Sequence, residues 1–303
     1  MMENLDFKEK IADLLPDISL RFQEPLAKHT SLRIGGPAEV MALPEDAGQL
    51  RRVLSTANRL RCPIKILGAG TNVLAPDEGV EGLVICLKDC LDGIEAVSER
   101  SIRVMSGVTM TRAAVYAANL GLSGLEFAHG IPGTVGGGVY MNAGAYGGEI
   151  GQICQSVEIL DSDGEKHVLS RDEMAFSYRH SCLEGKEAIV LSAEFVLEPK
   201  SPEQIRMTMR ELMARRTASQ PLDLPSAGSA FKRPAQGYAA ALIQASGLKG
   251  YRVGNAAISE KHAGFAVNLG GATAEDMRRL LRQVSDRVFA DSGIRLEPEI
   301  RIW

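Results

Sequence analysis

The run Gly130-Ile-Pro-Gly-Thr-Val-Gly-Gly-Gly-Val-Tyr-Met-Asn-Ala-Gly144, continued by Ala145-Tyr-Gly-Gly-Glu-Ile150, constrains this chain more than any other stretch. Each glycine costs about 1 kcal/mol of helix propensity relative to alanine, so the run reads as too glycine-rich for a helix or strand interior. It is also too apolar for a flexible linker. Ile131, Val135, Val139, Tyr140, Met141 and Ile150 would anchor in a core, with the glycines holding positive-φ backbone against something flat or anionic. A surface loop of structural turns is the plainer alternative. Against it stands a second cluster, Leu67-Gly-Ala-Gly-Thr-Asn-Val-Leu74, which follows an apolar strand directly. Its amides and two small polar side chains can cradle a pyrophosphate. It is neither a Rossmann fingerprint nor a P-loop, since the third glycine and following helix of the one and the Gly-Lys-Ser/Thr of the other are missing. The two clusters together point to one extended ligand lying along both loops, as a dinucleotide would.

At 303 residues, 45% hydrophobic and 24% charged, the chain is an ordinary globular protein with room for two or three domains. A net charge of -4 argues against nucleic acid or an anionic membrane as the main partner. The N-terminal residues mix charges with few apolar side chains, unlike a signal peptide, and no apolar run approaches the ~20 residues that span a bilayer. The expectation is a cytoplasmic protein. Cys62, Cys86, Cys90, Cys154 and Cys182 are odd in number and widely spaced, so free thiols are expected. The five histidines show no ligand spacing, so no metal is expected.

Periodicity predicts a helix over residues 5–15, a strand Val40 to Leu43, a helix Pro44 to Leu60 and strands Ile64 to Leu67 and Leu83 to Leu87. Next come a strand Ile102 to Met105 and a helix capped by Thr109 or Thr111 that ends near Asn119. Asp161-Ser-Asp-Gly164 marks a hairpin, Ser170 with Glu173 resembles a capping box, and Ala188 to Leu197 reads as an alternating strand. Pro199-Lys-Ser-Pro202 is the clearest boundary; Ile205, Met209, Leu212 and Met213 give the next helix its apolar stripe. A helix Tyr238 to Ser246, two strands, a helix Ala274 to Asp291 and a last strand follow. The expected division is 1–29 as a helical lead-in, 30–199 and 200–303.

Three later motifs carry polar chemistry: Ser177-Tyr-Arg-His-Ser181, Gly228-Ser-Ala-Phe-Lys-Arg-Pro234 and Leu296-Glu-Pro-Glu-Ile-Arg-Ile302. Taken singly they read as an exposed arginine, a serine in a tight turn and a solvated charged edge. Taken in order, with Thr30-Ser-Leu-Arg-Ile-Gly-Gly36 and both glycine clusters, they resemble the UDP-N-acetylenolpyruvoylglucosamine reductases, also called UDP-N-acetylmuramate dehydrogenases, from about residue 20 to the end. Arg233, where the long form has asparagine, and the short Gln220 to Gly228 loop fit the compact type II form.

The resemblance implies an α+β fold: a two-lobed FAD-binding module of the PCMH / vanillyl-alcohol-oxidase type, then a smaller α+β substrate-binding domain whose last strand returns towards the active site. It implies non-covalent FAD, with NADPH as reductant. Although related flavoproteins tether the cofactor through a histidine, His129 is not expected to do so. The cofactor-binding residues would be Gly68, Ala69, Gly70, Thr71, Asn72, Gly107, Ile131, Pro132, Gly133, Thr134, Gly136, Gly137, Asn142 and Gly144. Arg179 and Glu299 would hold the substrate's developing negative charge, and Ser229 would be the proton donor. Lys249 and Arg301 match substrate-region residues; His262, where the long form has glutamine, joins them, and His180 is given no role. The implied reaction reduces UDP-N-acetylglucosamine enolpyruvate to UDP-N-acetylmuramate in peptidoglycan precursor synthesis, in a monomer. An oxidase of the same superfamily and a non-catalytic nucleotide-binding protein are the alternatives, both disfavoured by the three intact motifs.

Overall fold

The computed structural model describes residues 7–88 and 90–303. The chain divides into two compact units. One takes residues up to Gln23, then Glu39–Ala69 and Glu81–Ala214; the other takes Glu24–Ala38, Gly70–Val80 and Arg215–Trp303. This differs from the expected cut at 199/200, because the chain passes twice through the second unit before finally entering it.

In the first unit, α1 (Phe7–Leu14) and α2 (Ala47–Leu60) cover a sheet ordered Ser19–Pro25, Pro37–Leu43, Val80–Cys86, Ile64–Leu67, whose last pair is parallel. Leu50, Val53, Leu54 and Ala57 give α2 its buried stripe. The helix starts at Ala47 rather than Pro44, because the Asp46 side chain accepts the Gln49 amide at 2.8 Å and closes the first turn. A second, antiparallel sheet runs Lys166–Ser170, Cys154–Leu160, Ile189–Val196, Ser101–Met105, Ile94–Ala96. Its central strand was expected to alternate but is buried on both faces. Ile189 and Leu191 belong to one core, and Val190, Ala193 and Phe195 to another. Thr109 caps α3 (Met110–Asn119), while Thr111 donates to the carbonyl of His129.

The opening glycine run departs from expectation: Val135–Tyr140 is helical (α4), followed by one turn, α5 (Ile150–Ile153). Packing overrides propensity here. A Cβ on Gly136 would stand 2.8 Å from Ser106 Cβ, and one on Gly138 would stand 2.7 Å from Met110 Sδ. Only glycine lets α4 approach those neighbours, and burying Val135 and Val139 stabilises by about 1.5–3 kcal/mol each. Ser170 and Glu173 form their reciprocal hydrogen bonds, yet only turns follow them. Ile205 and Met209 of α6 (Pro202–Ser219) are buried in the first unit's core, whereas Met213 is 38% exposed, contrary to the expected stripe.

In the second unit, α7 (Ala239–Ala245) and α8 (Ala274–Ser292) accompany an antiparallel sheet ordered Ser226–Ser229, Phe265–Asn268, Ala256–Ile258, Arg252–Val253. Thr273 and Asp276 form a capping box on α8, and Gly293 ends the helix at φ 72°. The early passes complete this unit. Leu32, Ile34 and Leu74 are buried in its core, Asn268 donates to the Leu32 carbonyl at 2.9 Å, and the Asp77 carboxylate accepts the Ala274 and Glu275 amides at 2.7 and 3.0 Å. The expected last strand is reduced to Arg301–Ile302, which pairs in parallel with Val73–Leu74. Glu297 and Glu299 precede it as irregular backbone.

Candidate active site

In the first unit the strand Ile64–Leu67 delivers Gly68 and Ala69, and α4 begins at the Thr134 cap. The amides of Gly68, Ala69, Gly130, Gly133 and Thr134 donate to no acceptor among the described residues. A Cβ on Gly68 would approach Thr134 Oγ1 to 3.0 Å. Gly137 is exposed, with 3.7 Å to the nearest atom its Cβ would meet. Backbone donors without internal partners, beside glycines that keep side chains away, fit a phosphate and a flat heterocycle. The structure thus fits FAD at Gly68, Ala69, Gly133, Thr134 and Gly137, whereas the Gly136 amide donates to the Ser106 carbonyl at 2.9 Å and Gly136 packs against that residue. Ile131 is half-buried against the core and Pro132 is exposed.

Two further residues expected at the cofactor have other work. Asn142 is fully buried at φ 43°; its Oδ1 accepts the Gly151 amide and its Nδ2 donates to the Ser177 carbonyl, both at 2.8 Å. It brackets the glycine run to the loop bearing Arg179. Gly107 is buried, donates its amide to Leu91 and lies against the Cys90 carbonyl, where a Cβ would collide.

Arg179 sits in a two-residue loop closed by reciprocal hydrogen bonds between Ser177 and His180, each 3.1 Å. Its φ of 55° is left-handed, a conformation costing an arginine about 1–2 kcal/mol. The fold maintains it: Arg179 Nη2 donates to the Gly144 carbonyl at 3.0 Å, and the guanidinium lies 5.0 Å from the Tyr178 ring centre. A strained, permanently charged side chain held over the glycine run is a sign of function. His180 pairs with Glu184 at 2.7 Å instead.

In the second unit, three segments far apart in sequence are stitched together by backbone hydrogen bonds and by the Asn72 side chain. The Gly70 turn (φ 63°) packs so closely on His29 that a Cβ would strike its carbonyl, and Ser31 donates to the Gly70 carbonyl at 3.0 Å. Asn72 Nδ2 donates to the Glu299 carbonyl at 3.1 Å, and the Arg301 amide to the Asn72 carbonyl at 3.0 Å. The Glu299 amide donates to Ala230 at 2.9 Å, and the Lys232 amide to Glu297 at 2.8 Å. Asn72 and Ala230 thereby fix the backbone of Glu299 one residue away from Ser229, whose side chain is exposed at the end of its strand after Gly228. The Gly70 and Asn72 amides find no acceptor among the described residues, so these two positions present donors there. Sequence reasoning matched the Thr30–Gly36 stretch without a role; the structure shows it clasping the Gly70 turn, and the left-handed glycine was the available signal.

The Ala230 amide also donates to the Gly264 carbonyl at 2.8 Å, tying in the turn that bears His262. Burial, with the Lys249 cation nearby, holds the His262 pKa below its usual 6.5. Lys249 itself is exposed. Burial pushes the Cys154 thiol up to about 12 and Cys62 to about 11, which leaves them inert as nucleophiles at neutral pH. Among the described residues no cysteine forms a disulfide, no side-chain group could hold a metal ion, and no helix is long and apolar enough to cross a membrane.

Residues 220–303 match the family model described as UDP-N-acetylenolpyruvoylglucosamine reductase, C-terminal domain, and residues 38–170 match an FAD binding domain. A UDP-N-acetylenolpyruvoylglucosamine reductase of Agathobacter rectalis is 44% identical over 310 residues, spanning 99% of this chain and 98% of that protein. One from Streptococcus pneumoniae is 43% identical and covers 98% of both chains. The crystal structure of UDP-N-acetylenolpyruvylglucosamine reductase from Thermus caldophilus superposes with a TM-score of 0.77 at 36% identity, over 94% of this chain and 98% of that one. The expected α+β fold, an FAD-binding module followed by a smaller domain, agrees with these matches.

Proposed function

Because this chain belongs to the UDP-N-acetylenolpyruvoylglucosamine reductase family, we propose that Arg179, Ser229 and Glu299 carry its FAD-mediated reduction of UDP-N-acetylglucosamine enolpyruvate to UDP-N-acetylmuramate, with NADPH as the reductant. The first unit is the cofactor unit in this reading and the second the substrate unit. FAD held by Gly68, Ala69, Gly133 and Thr134 would supply the hydride chemistry between NADPH and the terminal enol-ether carbon.

The chain's own residues manage charge and protons. Hydride arriving at that carbon leaves electron density on the neighbouring carbon and its carboxylate, as an enolate. Arg179 answers with a permanent cation whose planar donors suit a carboxylate. Ser229 protonates the carbon next to the carboxylate. A hydroxyl is a weak acid, so water or a neighbouring group must return a proton to its oxygen as it donates. Glu299 works beside the enolate as an acid or through a hydrogen bond, since a bare carboxylate would repel it. Asn72 and Ala230 keep it from retreating by holding its backbone from both sides. Lys249, His262 and Arg301 bind the remainder of the sugar nucleotide. One copy carries the full residue set, so the reading needs only a monomer, and it places the enzyme in the cytoplasm.

The backbone stitching of Ser229's strand, Glu299 and Asn72 is the observation that carries this reading. Purified protein should be yellow and should oxidise NADPH only when the enolpyruvyl sugar nucleotide is added. Ser229→Ala should keep flavin reduction by NADPH and stop the second half-reaction. Colourless protein that takes up no FAD sinks the proposal, rapid oxygen consumption without the sugar favours an oxidase, and loss of both halves in Ser229→Ala refutes the role of Ser229.

A further inference from the structure

The loop that carries Arg179 is fastened to the glycine run at three points. At its start the Ser177 carbonyl accepts from Asn142 Nδ2 at 2.8 Å; at its tip Arg179 Nη2 donates to the Gly144 carbonyl at 3.0 Å; at its end Ser181 Oγ donates to the Tyr140 carbonyl at 2.8 Å. Asn142 and Ser181 are wholly buried, so water cannot stand in for either bond.

The run is itself held firmly where it receives the loop. The Asn142 and Ala143 amides close on the Val139 and Gly138 carbonyls at 3.1 and 2.7 Å, and Gly144–Ala145 turns back to pair with Gly148–Glu149. The Asn142 carboxamide works in two directions at once: its oxygen accepts the Gly151 amide while its nitrogen donates to Ser177. Neither a carboxylate nor an apolar side chain can do both. An arginine at φ 55° leaves that conformation when nothing holds it, and the guanidinium moves with its backbone.

We propose that Asn142 and Ser181 are positioning residues for the half-reaction on the sugar nucleotide. They act through Arg179, keeping its guanidinium beside Gly144, and being wholly buried they touch neither substrate nor cofactor. This rests on the reading that Arg179 meets the substrate's carboxylate.

The test follows the two half-reactions of the FAD-loaded enzyme separately by flavin absorbance. Asn142→Asp keeps the size, the tolerance for left-handed backbone and the acceptor for Gly151, but its carboxylate cannot donate to Ser177. Reoxidation of reduced flavin by the enolpyruvyl sugar nucleotide should slow about 10–100-fold, the cost of a misplaced group, while reduction by NADPH and FAD affinity stay as in the wild type. The new carboxyl group is buried against a carbonyl, which raises its pKa. The charges packed around it balance: Arg179 and Arg171 stand with Glu149 and Asp172, and His180 with Glu184, so burial decides. In its acid form the group donates again, so reoxidation should recover, relative to the wild type, as pH falls from about 8 to about 6. Ser181→Ala should slow reoxidation about 3–10-fold, the value of one neutral hydrogen bond. Amide exchange across residues 177–181 should quicken in both variants.

Reoxidation at the wild-type rate, equal slowing of both half-reactions, an Asn142→Asp enzyme with no recovery at low pH, or unchanged amide exchange would each overturn the proposal. If Asn142→Asp alone takes up no flavin, Ser181→Ala decides by the same split between half-reactions. Arg179→Ala reoxidising normally overturns the reading of Arg179; a slow Arg179→Ala beside normal Asn142→Asp and Ser181→Ala overturns only the positioning role.

Discussion

Gly68–Asn72 and Gly130–Gly144 both look in the sequence like backbone pressed against a ligand, but they need glycine for different reasons. At Gly70 the requirement is conformational: φ is 63°, and the His29 carbonyl occupies the place a Cβ would take. In the longer run Gly136 and Gly138 have ordinary helical backbone and are glycine because Ser106 and Met110 fill the Cβ positions. Gly137, between them, is exposed, and its nearest neighbour, Thr134 Oγ1, would stand an ordinary 3.7 Å from an added Cβ. A glycine cluster therefore mixes turn, packing and ligand clearance, and the three respond differently to one added methyl group.

Gly70→Ala should be the most damaging. It combines a left-handed conformation with a backbone collision and should cost on the order of 3–5 kcal/mol, read as a lower unfolding midpoint and lost flavin. Survival with native stability would remove the conformational half of the contrast. Gly136→Ala gains about 1 kcal/mol of helix propensity but overpacks against Ser106, for a net loss of about 1–2 kcal/mol in urea unfolding. A more stable Gly136→Ala would show that the close approach of α4 is not required. Arg179 extends the comparison, as a non-glycine in the region Gly70 occupies. Arg179→Gly and Arg179→Ala both lack the guanidinium, so the difference between them isolates the backbone. Glycine should be the more stable by about 1 kcal/mol, with the second half-reaction lost in both. Gly137→Ala should have the smallest effect on stability, raising it by up to about 1 kcal/mol without cofactor while weakening FAD binding in a fluorescence titration. Unchanged FAD affinity would leave Gly137 without a reason to be glycine.

Features that rest on local chemistry were legible in the sequence. The Asp161 to Gly164 hairpin, the Thr109 cap and the helices around Leu50 and Met277 all follow from turn residues and periodicity. Features that rest on distant partners were not. Nothing near Val135 announces that Ser106 and Met110 will accept a glycine helix, and nothing near Met213 says that the core ends at Met209. The ordered motifs picked out Arg179, Ser229 and Glu299, but not the left-handed loop that carries Arg179 or the Asn72 bond that steadies Glu299. Asn142 was expected at the cofactor from the family resemblance. Its role as a bracket depends on Gly151 and Ser177, and the second of these lies 35 residues away.

The parallel pairing of Arg301–Ile302 with Val73–Leu74 has a consequence for synthesis. On the ribosome the early passes, Glu24–Ala38 and Gly70–Val80, emerge long before the helix that Asp77 caps or the strand that Val73 joins. Leu32, Ile34 and Leu74 must wait without their core while the chain between them and Arg215 is made. Such long-range closure is slow and leaves apolar surface open to mispairing. Nascent chains stalled before Arg301 should accordingly be captured by holdase chaperones and cut by protease near Leu74, and release of the last residues should end both.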